Sequence, residues 1–264
     1  MSGLLLRLAG PLQFWGERSA FAPVRDSARF PTRSALIGMF AAAEGIGRED
    51  LDTARYQDLH LTVRVDRPGV LLADYHTVGG GYLKEHTAAT SAGSNKGAAV
   101  ITRRHYLSDA VFVVAVTAPD ETVERLAAAL NRPHWAPYLG RRSCAPDEPF
   151  LLRHHVEDPD EELHMRVPLS QPTTHDTSGD EKDDTIAVEF LREQQPPPGS
   201  SLSAPTPVDV IDVNDVPVSF SQHGRRYTTR RLHRSLEPVA RSLAGPQNAL
   251  MQRLFAYTHH EEGA

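Results

Sequence analysis

The sequence predicts an α+β fold on three observations. Short apolar runs bounded by Gly and Pro read as strands. A strand–helix unit occurs twice in the first half of the chain, and strand-like segments crowd its last third. With 264 residues, 40% hydrophobic and 23% charged, the chain buries a real core, and its composition fits neither disorder nor a repeat array.

Taken in order, Gly3 to Ala9 is a compact apolar run ended by Gly10-Pro11, too short for a typical helix, so it opens the fold as a strand. Phe30-Pro31-Thr32-Arg33 then introduces a helix from Ser34 to Glu44, capped by Thr32 or Ser34 and closed by Gly45. Leu36, Ile37 and Phe40 share one face of it, and Gly38, Ala41 and Ala42 let it lie close to a sheet. Asp58 to Asp66 alternates apolar and polar residues as a half-buried strand does, and Arg67-Pro68-Gly69 turns it into Val70–Tyr75, a predicted hairpin. Ala110–Val116 is a strand of the fully buried type, and Pro119-Asp120-Glu121 leads into a helix over Thr122–Leu130 whose acidic first turn suits the macrodipole. This order is that of a ferredoxin-like or RRM-like domain with its last strand unassigned. Val208–Val213, Val216–Phe220 and Arg226–Leu232 read as further strands and Asn248–Tyr257 as a terminal helix. Two regions are therefore expected, 1–150 and a smaller, mostly β region over 151–264.

One cysteine, Cys144, excludes an internal disulfide or a cysteine-rich zinc knot. The start, Met1-Ser2-Gly3-Leu4-Leu5-Leu6-Arg7, lacks the form of a signal peptide, and no stretch approaches the ~20 apolar residues of a membrane span, so a soluble cytoplasmic protein without a membrane partner is expected. The net charge of −6 hides a segregation: residues 145–220 hold 17 acidic and 4 basic groups, whereas the rest of the chain is mildly basic. A polyanion partner is thus not excluded, because binding follows the local field of a patch. The acidic stretch, with its Pro-rich loop over 157–201, reads as a solvated surface rather than a docking surface.

Several segments carry candidate chemistry. The long stretch from Asp74 to Ser108 combines Gly79-Gly80-Gly81, the cations Lys84, Lys96, Arg103 and Arg104, and the rings Tyr82 and Tyr106, a mixture suited to following a phosphate chain and stacking on bases. It lacks the Gly-Lys-Ser/Thr ending of a P-loop. Arg225, Arg226, Arg230, Arg231 and Arg234 form the densest basic cluster, equally compatible with a polyanion-binding face and with neutralisation of the acidic stretch. Arg141 and Arg142 flank a turn beside Cys144, whose inert reading outweighs that of a nucleophile. Thirteen histidines include no i,i+4 pair of ligand spacing, so no metal site and no cofactor are predicted. His105, between Arg104 and Tyr106, has the chemistry of a general base for metal-independent RNA cleavage, although a structural or RNA-contacting role outweighs it.

Four blocks carry a resemblance: Leu4 to Gly16, Phe30 to Gly38, Thr102 to Ala110, and Tyr138 to Cys144. In this order they are similar to the successive motifs of the Cas-five (CasD) subunit family of type I-E CRISPR Cascade, in the RAMP superfamily. The resemblance implies an RRM-like RAMP domain with a thumb-like insertion, here about 75–104. It implies a non-catalytic subunit that grips the 5′ handle of CRISPR RNA and caps the backbone subunits, with the large subunit as a further partner and target DNA engaged indirectly. Arg33, Arg103, Arg104, Arg141 and Arg142 would then contact phosphates, Lys84 and Lys96 would serve the thumb, and Tyr106 or Trp15 would lie against bases or be packed beneath them. In type I-C relatives the same fold cleaves precursor RNA, which keeps an endoribonuclease as the alternative.

Overall fold

Strands that are apolar along their whole length need cover on both faces, and the two most apolar runs obtain it. β1 (Ser2–Ala9) and β7 (Val111–Ala118) are antiparallel neighbours within a seven-stranded sheet. Their side chains alternate between two cores. Leu4, Leu6 and Leu8 join Phe112, Val114 and Val116 beneath α1 (Arg33–Ala43) and α2 (Asp120–Asn131). Leu5, Val113 and Ala115 face α3 (Pro159–Met165) and α4 (Leu250–His259) on the other side. The computed structural model describes residues 1–16, 23–87, 89, 93–95, 99–171, 184–194, 209–221 and 224–259. Lys96 and much of the Pro-rich stretch lie outside them.

With β4 (His60–Arg67) and β8 (Leu151–Val156), the order β4-β7-β1-β8 is antiparallel throughout, and α1 and α2 cross over the same face. This is the ferredoxin-like arrangement, and β8 is the strand the sequence left unassigned. β9 (Thr185–Arg192), β11 (Arg226–Ala240) and β10 (Asp209–Ser219) extend the sheet beyond β4. A division at residue 150 would fall just before β8, inside one continuous sheet. The acidic stretch also supplies ordered elements: β9, and α3 with Asp158 accepting from the Glu161 N–H at 2.9 Å.

The expected hairpin between β4 and the run after Gly69 is not formed. β7 and β9 take the two edges of β4, leaving β5 (Val70–Val78) to pair along its full length with β6 (Val100–Ser108). The long stretch from Asp74 to Ser108 thus begins and ends in the two strands of an antiparallel hairpin, inserted between the adjacent strands β4 and β7. Gly69 (φ 69°) and Asp109 (φ 57°) stand in left-handed conformations where the chain enters and leaves it. β2 (Leu12–Gln13) and β3 (Val24–Arg25) pair with β6 near its root.

Buried charge ties the C-terminal strands to the first layer. The Arg64 guanidinium, fully buried on β4, pairs with Asp66 at 2.6 Å and donates to the carbonyls of Leu163, Val167 and Pro168 where α3 ends. These carbonyls have no intrahelical partner, so the arginine replaces the water they would need. Thr32 makes no side-chain cap on α1; the Arg33 N–H donates instead to Asp215 at 2.7 Å. Among the described residues no helix is long and apolar enough to cross a membrane.

Candidate nucleic-acid interface

The hairpin root gathers four of the predicted cations. β6 carries Arg103 and Arg104, and strand alternation sends them to opposite faces. Parallel β3 sets Arg25 in register with Arg104. The loop over 138–144 brings Arg141 and Arg142 to the same end of the sheet, and its path depends on Gly140. That residue has φ 83°, and a Cβ there would fall 1.5 Å from the Phe14 carbonyl oxygen. Phe14 N–H donates to Leu139 O at 3.0 Å, and Leu139 N–H to Cys144 O at 2.7 Å, which fixes the loop against the end of β2.

Arg141 lies in this corner between two rings. Its guanidinium carbon is 3.8 Å from the Phe14 centroid and 4.9 Å from that of Tyr106, and it donates to the Tyr106 hydroxyl at 3.1 Å. Such cation–π contacts strengthen as water is excluded. Burial lowers the Arg141 pKa, the Tyr106 oxygen opposes that shift and Arg104 adds to it. Tyr106 is 7% exposed. Its ring therefore does not offer a base-stacking face and is packed beneath the site. Trp15 is fully buried and donates to Gln13 Oε1 at 3.1 Å, while the Gln13 amide donates to the carbonyls of Leu8 and Ala110. It too belongs to the core under the root.

Arg103 and Arg142 are exposed, and Arg104 is half-buried with its Nε on Thr102 Oγ1 at 3.3 Å. Among the described residues no carboxylate lies within salt-bridge distance of these three arginines, so their charge is directed at solvent. Lys84 is exposed in a short 3₁₀ turn beyond β5, away from the root. The hairpin also exposes Leu71, Leu72, Tyr75, Val78 and Ile101. His105, half-buried, lies on the Arg103 face of β6, opposite Arg104 and Tyr106.

Arg33 requires correction, because its guanidinium is not available to a phosphate. It is 6% exposed and donates to Glu193 at 2.7 Å and to the carbonyls of Leu59 and Tyr56 at 2.9 and 3.0 Å. Arg230 pairs with the same Glu193 and, at 2.6 Å, with Asp215. Arg234 meets Glu189 at 2.5 Å and Arg231 meets Asp212 at 3.8 Å. Three arginines of the dense basic cluster thus neutralise the acidic stretch within the fold, while Arg225 and Arg226 remain exposed. Burial pushes the Cys144 thiol up despite Arg141, which disfavours the thiolate a nucleophile needs. Among the described residues no group of His, Cys, Asp and Glu could hold a metal ion. Sequence reasoning missed Phe14 and Gly140 as parts of the site, since their role lies in a contact between segments 126 residues apart in the chain.

Comparison with known proteins bears on the chain as a whole. The family model described as CRISPR-associated protein (Cas_Cas5) matches residues 3–233. The chain belongs to the CRISPR-associated Cas5 family. Among curated relatives of this Cas5 chain is the CRISPR system Cascade subunit CasD of Escherichia coli (strain K12), 39% identical over 187 residues, which cover 64% of this chain and 78% of that protein. A chain of a solved CRISPR RNA-guided surveillance complex superposes with a TM-score of 0.84 at 45% identity, covering 97% of this chain and 99% of that one. A second solved structure, described as a Cas protein, gives 0.60 at 28% identity over 92% and 98% of the two chains. The α+β fold read from the sequence is thus the fold of Cas5 proteins.

Proposed function

We propose that this Cas5 chain is a non-catalytic subunit of a Cascade-type, CRISPR RNA-guided surveillance complex, and that its hairpin root holds the 5′ handle of the CRISPR RNA. The observation that carries the reading is the superposition, over nearly the whole of both chains, on a chain of such a complex. The root supports the finer part of it. Arg103, Arg104 and Arg142 present charge that no carboxylate among the described residues claims, which is what a phosphate chain requires. Arg141 serves this surface from beneath, through Phe14 and Tyr106. The exposed apolar residues of the hairpin suit contact with neighbouring subunits.

Mechanistically, phosphate contacts fix register and orientation, and edge or stacking contacts to bases supply preference. Replacing Arg103 and Arg104 by alanine is expected to weaken handle binding and to flatten the slope of log K against log salt by about 0.7 per lost contact. Unchanged affinity and slope would remove these residues from the interface. Labelled repeat RNA incubated with the chain in EDTA is expected to remain intact on a denaturing gel. A discrete cut, lost in His105→Ala and blocked by a 2′-deoxy substitution at the scissile nucleotide, would replace the binding reading with an endoribonuclease.

A further inference from the structure

The sheet face turned towards α3 holds a charge that no described residue matches. Arg7, on β1, alternates with Leu6 and Leu8 and so shares its face with Leu5. It is 4% exposed, yet among the described residues nothing accepts a hydrogen bond from its Nε or Nη1. The charged groups around it are Asp147, Asp66 and Arg67. Asp66 is already held by both sides of the Arg64 guanidinium and by the Ser170 N–H at 2.8 Å. Arg67 donates through Nη1 to Asp109 at 2.9 Å, leaving its own buried Nε without an acceptor. Ser170, 1% exposed, likewise has a hydroxyl without a partner. Asp147 is exposed, in the loop whose N–H donates to Ala9 O at 2.8 Å.

We propose that Arg7, with Arg67 Nε and the Ser170 hydroxyl, forms a buried site for a single carboxylate-sized monoanion. The charge balance sets the ligand class. Arg64 pairs with Asp66 and Arg67 with Asp109, and the exposed Asp147 forms no ion pair with Arg7, so among the described residues Arg7 is the guanidinium there without an ion-pair partner. A guanidinium stays protonated under physiological conditions, and burying it without a partner is costly, so the site gains from an anion. The near-complete burial of Arg7 admits a small oxyanion and excludes, on size, a nucleic-acid backbone. The carboxylate has two sources: a free small acid, or an Asp or Glu side chain of a neighbouring protein subunit. The site lies on the other side of the sheet from the Arg141 corner and does not depend on the RNA-binding reading.

The test is the melting temperature of the full chain in formate against chloride at fixed ionic strength, for wild type and Arg7→Met. If a free carboxylate binds, wild-type Tm rises by about 3 °C per tenfold increase in formate above half-saturation. Arg7→Met removes that dependence and melts about 2–4 °C above wild type in chloride, because an apolar chain of similar shape replaces an unmatched buried charge. If the carboxylate belongs to a subunit, formate has no effect, and Arg7→Met weakens assembly of the reconstituted complex without changing the salt slope of RNA binding. Arg7→Lys, which keeps the charge, is expected to retain part of either response and serves if the methionine variant does not fold. A fall of about 0.7 in the RNA salt slope on Arg7→Met would overturn the proposal in favour of a phosphate contact. Indifference of both proteins to formate and of the complex to the substitution would also overturn it, leaving Arg7 hydrated.

Discussion

Arg33, Arg64, Arg192 and Arg230 lie between the sheet and its covering layers, and each meets a carboxylate. Arg103, Arg104 and Arg142 stand at the hairpin root and meet none among the described residues. The two sets come from stretches that look alike on paper: an arginine beside a helix cap, a run of arginines on a strand, a pair beside a turn. What separates them is whether a distant segment delivers an acid. Arg33 receives its partners from residues 160 and 182 positions away, and the long β11 brings Arg230 to the same two acids. In this fold a paired arginine stabilises the sheet, and an unpaired one on the surface is available for binding.

The comparison breaks most visibly at Arg33. Arg33→Met leaves Glu193 sharing only Arg230 and strips donors from two buried carbonyls, and it is expected to cost about 3–5 kcal/mol in urea denaturation. A loss below 1 kcal/mol would return Arg33 to the solvent-facing set. Gly140→Ala tests the support of the second set. The clash with Phe14 and the left-handed backbone are expected to cost about 3 kcal/mol or more and to displace Arg141, seen as loss of RNA affinity in whatever fraction still folds.

A smaller effect sharpens the buried side. His164 is stacked on Phe190 and lies 3.7 Å from Glu237, which Arg192 also engages. Burial lowers its pKa from the ordinary 6.5, outweighing the pull of Glu237. The unfolded chain therefore binds more protons than the folded one once pH drops below about 6.5, so this site contributes stability above that value and loses it as pH falls towards the folded pKa. His164→Phe should flatten the stability–pH profile below about 6.5, and an unchanged profile would assign the acid sensitivity elsewhere. The smallest stability change is expected for Arg142→Ala, within about ±0.5 kcal/mol, with its consequence read only in the RNA salt slope.

Much of the fold was legible because its signals are local. β1, α1, β4, β7, α2 and α4 follow from periodicity and from breakers such as Gly10-Pro11 and Gly45. The β5–β6 hairpin was not, since Val70–Tyr75 is as well patterned for β4 as for a partner some 30 positions later, and only the occupation of both β4 edges decides between them. β8 and β9 were hidden by arginines, histidines and glutamates that a sheet edge or a buried ion pair absorbs. Of the proposed site, the exposure of Arg103 and Arg142 suits the contacts expected from their type and spacing, whereas the packing of Tyr106 and the internal pairing of Arg33 depend on contacts that no local pattern encodes.

The hairpin leaves the sheet between two strands hydrogen-bonded to each other, through left-handed residues at both crossings. Each of its strands has nine residues, a reach of about 30 Å at roughly 3.3 Å per residue. The ladder ends at the Val78–Val100 pair, so lengthening or shortening the arm by paired residues would leave both cores untouched. How far the protein extends is therefore a dimension that selection can adjust separately from how tightly it folds, much as the blade of a key is cut without altering its bow.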